Sequence, residues 1–268
     1  MNIKYKYSAA VIFYVLQGLS LFAQTTVSLP YAPLQLSTDR YDNLFVSDTK
    51  GNVHKFSADW NEKLTYSATK NIKVTHLEAY NTLNIFLFYE DYQEIVLLNR
   101  FMTETVRQPI SEGGSIFARL ATYASDNNIW LFCDTDFSLK KLNLKTQQVL
   151  FSVPLDLQLN VANYQMNYIK EYQNYLYIND KNSGIYVFDA MGNFFKKMSI
   201  PGIQHFTFYA NKMWYIQNNQ IFEYALYEEK NEPILLPKSF EKIQSIAVTS
   251  SFVYAIVNNN QLIYWKKE

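Results

Sequence analysis

Few side chains in this 268-residue chain could do chemistry. Three are histidines, His54, His76 and His205, and one is a cysteine, Cys133. A lone cysteine closes no internal disulfide and builds no cysteine zinc site. His76 and His205 fall at similar places in similar segments, and a histidine pair can hold a metal or move a proton near neutral pH. The one carboxylate at a matching place is Glu78, two residues after His76. The plainer reading is therefore a pair of half-buried polar residues. No HExxH zinc motif occurs, and the nearest string to a GxSxG nucleophile elbow, EGGSIF at 112–117, has the wrong order. The 7 glycines form no phosphate-cradling loop. Lysine plus arginine, 24, equals aspartate plus glutamate, 24, which leaves no basic face for nucleic acid. The composition thus predicts no cofactor and no resident metal.

What must position these residues is a repeat. Aromatics are unusually abundant, with 22 Tyr, 19 Phe and 4 Trp. Six short apolar runs each carry one at the same place: Phe45, Phe86, Trp130, Tyr177, Trp214 and Tyr254, spaced roughly 42 residues apart. A second marker follows each: Val53, Ile95, Leu139, Ile185, Ile221 and Leu262. Both sets keep the same uneven rhythm, so chance is a poor explanation. Each run is rich in aromatic and β-branched residues and bounded by Asn, Asp, Gly or Lys, as strands between tight turns are. A further strand is predicted upstream of each pair (LQLST, THLEAY, ARLATY, NYIKEY, HFTFYA, SIAVTS). A fourth lies downstream of most, in VLFSVP, FKKMSIP and PILLP. Four short strands per repeat predict an all-β chain, a six-bladed β-propeller of four-stranded antiparallel blades. The sixth repeat stops after its third strand, and TTVSLP at 25–30 matches the missing fourth. The ring is therefore expected to close with residues 25–30 pairing to the strand at about 260–267, which protects an otherwise open edge.

This register gives the candidate residues a place. His76 and His205 fall on first strands, which line a propeller's channel. Acidic residues end the second strands at Asp48, Asp91, Asp134 and Asp180. Such a ring could bind a cation or a basic partner, although Asp side chains in these places also shape turns by bonding the backbone two residues on. Most aromatics fill the space between blades. Those left over include Tyr92, Phe137 and Tyr164. Tyr164 lies in the longest loop between blades, 155–166, and insertions in repeat proteins cluster on the binding face.

The strings VSDTKGNVHKFS and INDKNSGIYVFDAMGN resemble the NHL-type repeat of six-bladed propellers, a superfamily that also holds TolB-like members. The matching residues are Asp48, Gly51, Asn52, Val53, Lys55 and Phe56 in one, and Asp180, Asn182, Ile185, Val187, Phe188, Asp189 and Gly192 in the other. The repeats at 74–110 and 203–237 depart from that pattern. The resemblance implies hydrolases, sugar dehydrogenases and binding scaffolds alike, and the fold does not choose among them.

The first residues read as an address. Lys4 and Lys6 precede an uncharged, mostly apolar run from Ala9 to Phe22, and Ala23 offers a small residue for cleavage. That run is shorter than the ~20 residues a spanning helix needs. The expectation is a signal peptide at 1–23, a single propeller domain at 24–268, and export to the periplasm or cell exterior with no membrane span in the mature chain. The leading functional reading is a monomeric, non-catalytic binding or assembly module that presents its channel mouth and long loop to a protein or glycan partner. The alternative is an exported hydrolase or lyase acting at that mouth.

Overall fold

The computed structural model describes residues 24–60, 63–80, 83–110, 116–236, 238–258 and 260–267. The signal peptide expected at 1–23 lies outside the described residues. Among the described residues the strands form six four-stranded antiparallel sheets. The six inner strands are Pro33–Thr38, His76–Glu78, Leu120–Tyr123, Met166–Tyr172, Ile203–Tyr209 and Ile243–Val248. Neighbouring inner strands pack beside one another in chain order, and the sixth returns to the first. The chain is a six-bladed β-propeller.

The repeat markers explain what holds the blades together. All six marker aromatics and all six third-strand markers are buried. They fall into six apolar clusters, one at each junction between neighbouring blades. A strand in this fold has an apolar neighbour on both faces, which is why its sequence reads as a continuous apolar run rather than an alternation.

Turns are supplied by Asp and Asn more than by glycine. Asp39, Asp48 and Asp189 share one module. One carboxylate oxygen accepts the amides of the residues two and four positions on, and the other accepts the side-chain amide of an Asn four positions on. The local bonds shape the turn without help from the rest of the fold.

The ring closes as the sequence predicts. Thr25–Val27 is the outer strand of the sixth blade, with Thr25 opposite Tyr264, Thr26 opposite Ile263 and Val27 opposite Leu262. The strand ends at Val27, and beyond it Leu29 and Tyr31 turn onto the apolar cluster between blades 6 and 1. Side chains lock the same junction. The Leu36 amide donates to Ser245 Oγ at 3.1 Å, and Thr38 Oγ1 donates to the Val248 carbonyl at 3.0 Å. One strand is misplaced by the sequence reading. The outer strand of blade 5 is Asn231–Pro233, not PILLP. That run is apolar because Ile234 and Leu236 fold under onto the cluster between blades 5 and 6.

Candidate functional site

The disc has two faces. Blade-to-blade loops and the turns between second and third strands share the crossover face. Turns between first and second strands make the other, the hairpin face. The sequence candidates on the crossover face are mostly held by local bonds. Asp48 is buried, caps its turn through the Lys50 and Asn52 amides, and lies 3.4 Å from His54 Nε2. Asp180 accepts the Asn182 amide and the Gln165 amide, tying down the long loop at 2.7 Å. Asp91 and Tyr92 lie exposed on a one-turn 3-10 helix, Glu90–Tyr92, with the Lys70 ammonium over the Tyr92 ring at 4.1 Å. Three candidates do meet. Asp134 pairs with Arg119 at 2.8 Å and accepts from Tyr164 Oη at 3.2 Å, while the Tyr164 ring packs on Phe137 at 4.7 Å. These contacts anchor the long loop, and Leu155 and Leu159 bury beneath it.

His76 and His205 do come together in the channel, on either side of Tyr168. Ring centroids are 5.1 Å apart for His76–Tyr168 and 4.7 Å for Tyr168–His205. Sheet register explains why. Opposite the six marker aromatics lie Ser37, Glu78, Thr122, Lys170, Thr207 and Ala247 on the inner strands. Two residues earlier comes a second layer, toward the crossover face: Gln35, His76, Leu120, Tyr168, His205 and Ser245. The channel is thus lined by mostly polar layers placed by a mostly apolar pattern next door.

In the first of these layers Glu78 is buried. Its Oε2 accepts from Thr122 Oγ1 at 2.6 Å and lies 3.4 Å from His76 Nε2. Its Oε1 faces the buried Lys170 ammonium at 4.0 Å. Burial works against a charged Glu78, but Lys170, His76 and Thr122 outweigh it and hold the carboxyl below its usual range. Burial pushes the Lys170 ammonium down, and Glu78 partly restores it. Burial, then electrostatic contributions from Lys170 and His76, bring His205 down to about 3, and its buried Nδ1 has no hydrogen-bond partner among the described residues.

Glu78 is also the floor of a cavity of about 320 Å³ that opens on the hairpin face. Blades 1 to 4 build it. Tyr80, Tyr123 and Tyr172 form aromatic walls, and Arg40, Leu83, Ser125, Gln173 and Asn174 make an exposed rim. The Arg40 guanidinium lies 5.0 Å above the Tyr80 ring, which meets Tyr172 edge-on at 5.5 Å. Glu171 lines the cavity with both oxygens already engaged, one by the Ser125 amide and one by Trp130 Nε1, each at 2.7 Å. Of the residues noted from sequence, Glu78 lines this cavity, whereas none of the proposed binding residues does. The signal that finds it is the inner-strand residue opposite each marker aromatic, which leads to Glu78.

Among the described residues no group of three or more His, Cys, Asp or Glu side chains could hold a metal ion, and no helix is long and apolar enough to cross a membrane. No protein-family model matches the chain, and no curated protein matches it by sequence. Solved structures share the fold at low identity. A streptogramin B lyase aligns with a TM-score of 0.65 and 12% identity, covering 91% of this chain and 98% of the lyase. The β-propeller domain of Cps50 (Swd1) from Myceliophteria thermophila gives 0.63 and 12%, covering 91% and 98%. BamB from Moraxella catarrhalis gives 0.51 and 9%, covering 88% and 85%. At such identities the likeness carries the six-bladed β-propeller architecture alone, and it spans both an enzyme and proteins that are not enzymes by name.

Proposed function

We propose that the protein is an exported binding module whose ligand site is the cavity on the hairpin face. The observation that carries this reading is the chemistry of the cavity. It combines aromatic walls, amides and one guanidinium over a carboxylate held in its ionised form. Proton transfer near neutral pH needs a base poised near 7. Glu78 and His205 are both shifted away from that point, toward weaker basicity. Export rests on the basic, apolar and small-residue order of residues 4–23, and the NHL-type strings fit a binding scaffold. A second reading, an exported lyase or hydrolase, has one observation in its favour: burial moves the Lys170 ammonium down, as a lysine base requires.

The test is a photo-crosslinking amino acid placed in cells at Leu83, on the cavity rim, and at Leu157, on the crossover face. A discrete adduct from Leu83, competed away when the cavity is filled by an added ligand, is expected. Adducts only from Leu157 would move the binding face to the long loop and refute the assignment.

A further inference from the structure

Six outer strands form the rim of the disc, and five of them are guarded against pairing with another chain. Lys63–Tyr66 carries Lys63, Glu104–Pro109 carries Glu104 and Arg107, and Phe194–Met198 carries Lys196 and Lys197. Thr25–Val27 and Asn231–Pro233 are three residues long. Charge and shortness are common protections of a sheet edge. The outer strand of blade 3, Val149–Pro154, is six residues long and has no charged side chain. Its guards are a bulge opposite Lys141 and Leu142 and the proline itself, and they sit at its two ends.

Between those ends the backbone is set to pair. The Leu155 amide donates to the Phe137 carbonyl at 3.0 Å, so in the register that follows Val153 and Phe151 bond inward to the third strand. Ser152, between them, therefore turns its N–H and C=O out of the blade. A second copy, related by a two-fold axis at this point, exchanges both bonds, Ser152 to Ser152. Such a pairing is antiparallel, and it brings the Lys145 end of one strand to the Asp156 end of the other. Both side chains are exposed, and neither has an ion pair among the described residues.

The apolar surface beside the edge is of modest size. Val149 and Leu150 are exposed, and the Met191–Gly192 turn of blade 4 packs against the same strand, where a Cβ on Gly192 would meet Phe151 at 3.1 Å. With Met191 67% and Phe194 44% exposed, the patch is on the order of 400 Å² per copy, about half of what a standard interface buries on each side.

We infer that the protein self-associates weakly and reversibly through the blade 3 edge, two copies joining Val149–Pro154 antiparallel into one eight-stranded sheet. The partner is a second copy because the uncharged strand opposes no like charge when paired with itself, while its two ends carry opposite charges. One copy is inverted relative to the other, so the two hairpin-face cavities open on opposite sides of the pair. This pairing is independent of what those cavities bind.

The test is sedimentation equilibrium of the purified protein from about 1 µM to 1 mM, the range in which a small interface dissociates. The average mass should rise toward twice that of one chain and no further, and the Ser152 amide should exchange with deuterium more slowly as concentration rises. Ser152→Pro removes an N–H that the blade does not use, and Leu150→Lys places a charge on the edge. Each should weaken association about tenfold or more. Lys145→Glu should weaken it about threefold, and Lys145→Glu/Asp156→Lys should restore it. Phe195→Ser, on the side of blade 4 turned toward Tyr175, should change nothing. A mass that stays at one chain up to about 1 mM, growth past two chains, or association untouched by both edge variants would overturn the inference. Failure of the double swap to restore association would overturn the antiparallel sense. Association seen only when a foreign β-strand peptide is added would assign the edge to another protein and overturn self-pairing.

Discussion

Removing the closing strand tests the architecture most directly. Residues 24–31 contribute a three-residue strand against the last strand of blade 6, the partly buried Val27 and Leu29, and Tyr31, whose ring stacks on His54 at 3.8 Å. Half-burying an aliphatic side chain is worth about 1 kcal/mol, and a net ladder hydrogen bond about the same. With the aromatic stack included, the segment contributes about 5 kcal/mol. For a domain of this size each kcal/mol moves the thermal midpoint by about 2–4 °C. A chain begun at residue 32 should therefore unfold about 10–20 °C below one begun at residue 24. It should also associate through the bared edge at Leu262–Trp265, visible as higher-mass species in light scattering. Circular dichroism melts of the two chains are the assay. Midpoints within about 2 °C of each other would mean that the pairing contributes little and that the ring is held elsewhere.

Other outcomes can be stated briefly. Gly184 has φ +118°, and a Cβ there would lie 2.2 Å from the Met198 carbonyl oxygen, so Gly184→Ala should cost about 2–4 kcal/mol in urea unfolding. Gly202→Ala, also at positive φ but with nothing nearer than 3.8 Å, should cost about 1 kcal/mol, and equal costs would refute the steric argument. His205 is held neutral down to about 3, whereas the unfolded residue protonates near 6.5. Its stabilisation is therefore complete above about pH 6.5 and falls as pH drops toward 3, by at most about 1.4 kcal/mol per unit. Burial lowers His54 as well, so it acts in the same direction. Urea unfolding at pH 7 and pH 5, where most carboxylates are still ionised, should show a loss that His205→Phe reduces, and an unchanged loss would exclude His205 as its source. Mass spectrometry of the native protein should give an N-terminus near Gln24 or Thr25, and an intact Met1 would refute cleavage.

The blades were legible because their signals are local. Phe45, Trp130 and Tyr177 announce strands by type and spacing, and an Asp with an Asn four residues on, as at Asp48 and Asp189, announces its turn. Ring closure was legible from a missing fourth strand and a spare one at the other end. The cavity was not. Arg40, Asn84 and Gln173 read as ordinary turn residues, and they become one wall only when four blades stand side by side. Lys170 and Glu78 are 92 positions apart in the numbering, and nothing in either strand alone says that they face each other. The reading favoured the crossover face because its loops are longest. The structure shows the longest of them pinned by Tyr164, Asp180 and Leu159.

The junction between blades 6 and 1 also sets an order in time. Its side-chain bonds join residues 209 and 210 positions apart. A chain that appears N-terminus first brings out Thr25–Val27 ahead of the other described strands, whereas their partner Gln261–Lys266 follows all of them. Hairpins with Asp-capped turns can form as they appear, because their contacts are close in sequence. The disc itself cannot close until Gln261–Lys266 is available. An incomplete chain therefore stays open at one seam, with Val27, Leu29 and Tyr31 uncovered and the edge of blade 6 not yet made. That delay confines the hazard of edge-to-edge association to the interval before the last strand pairs.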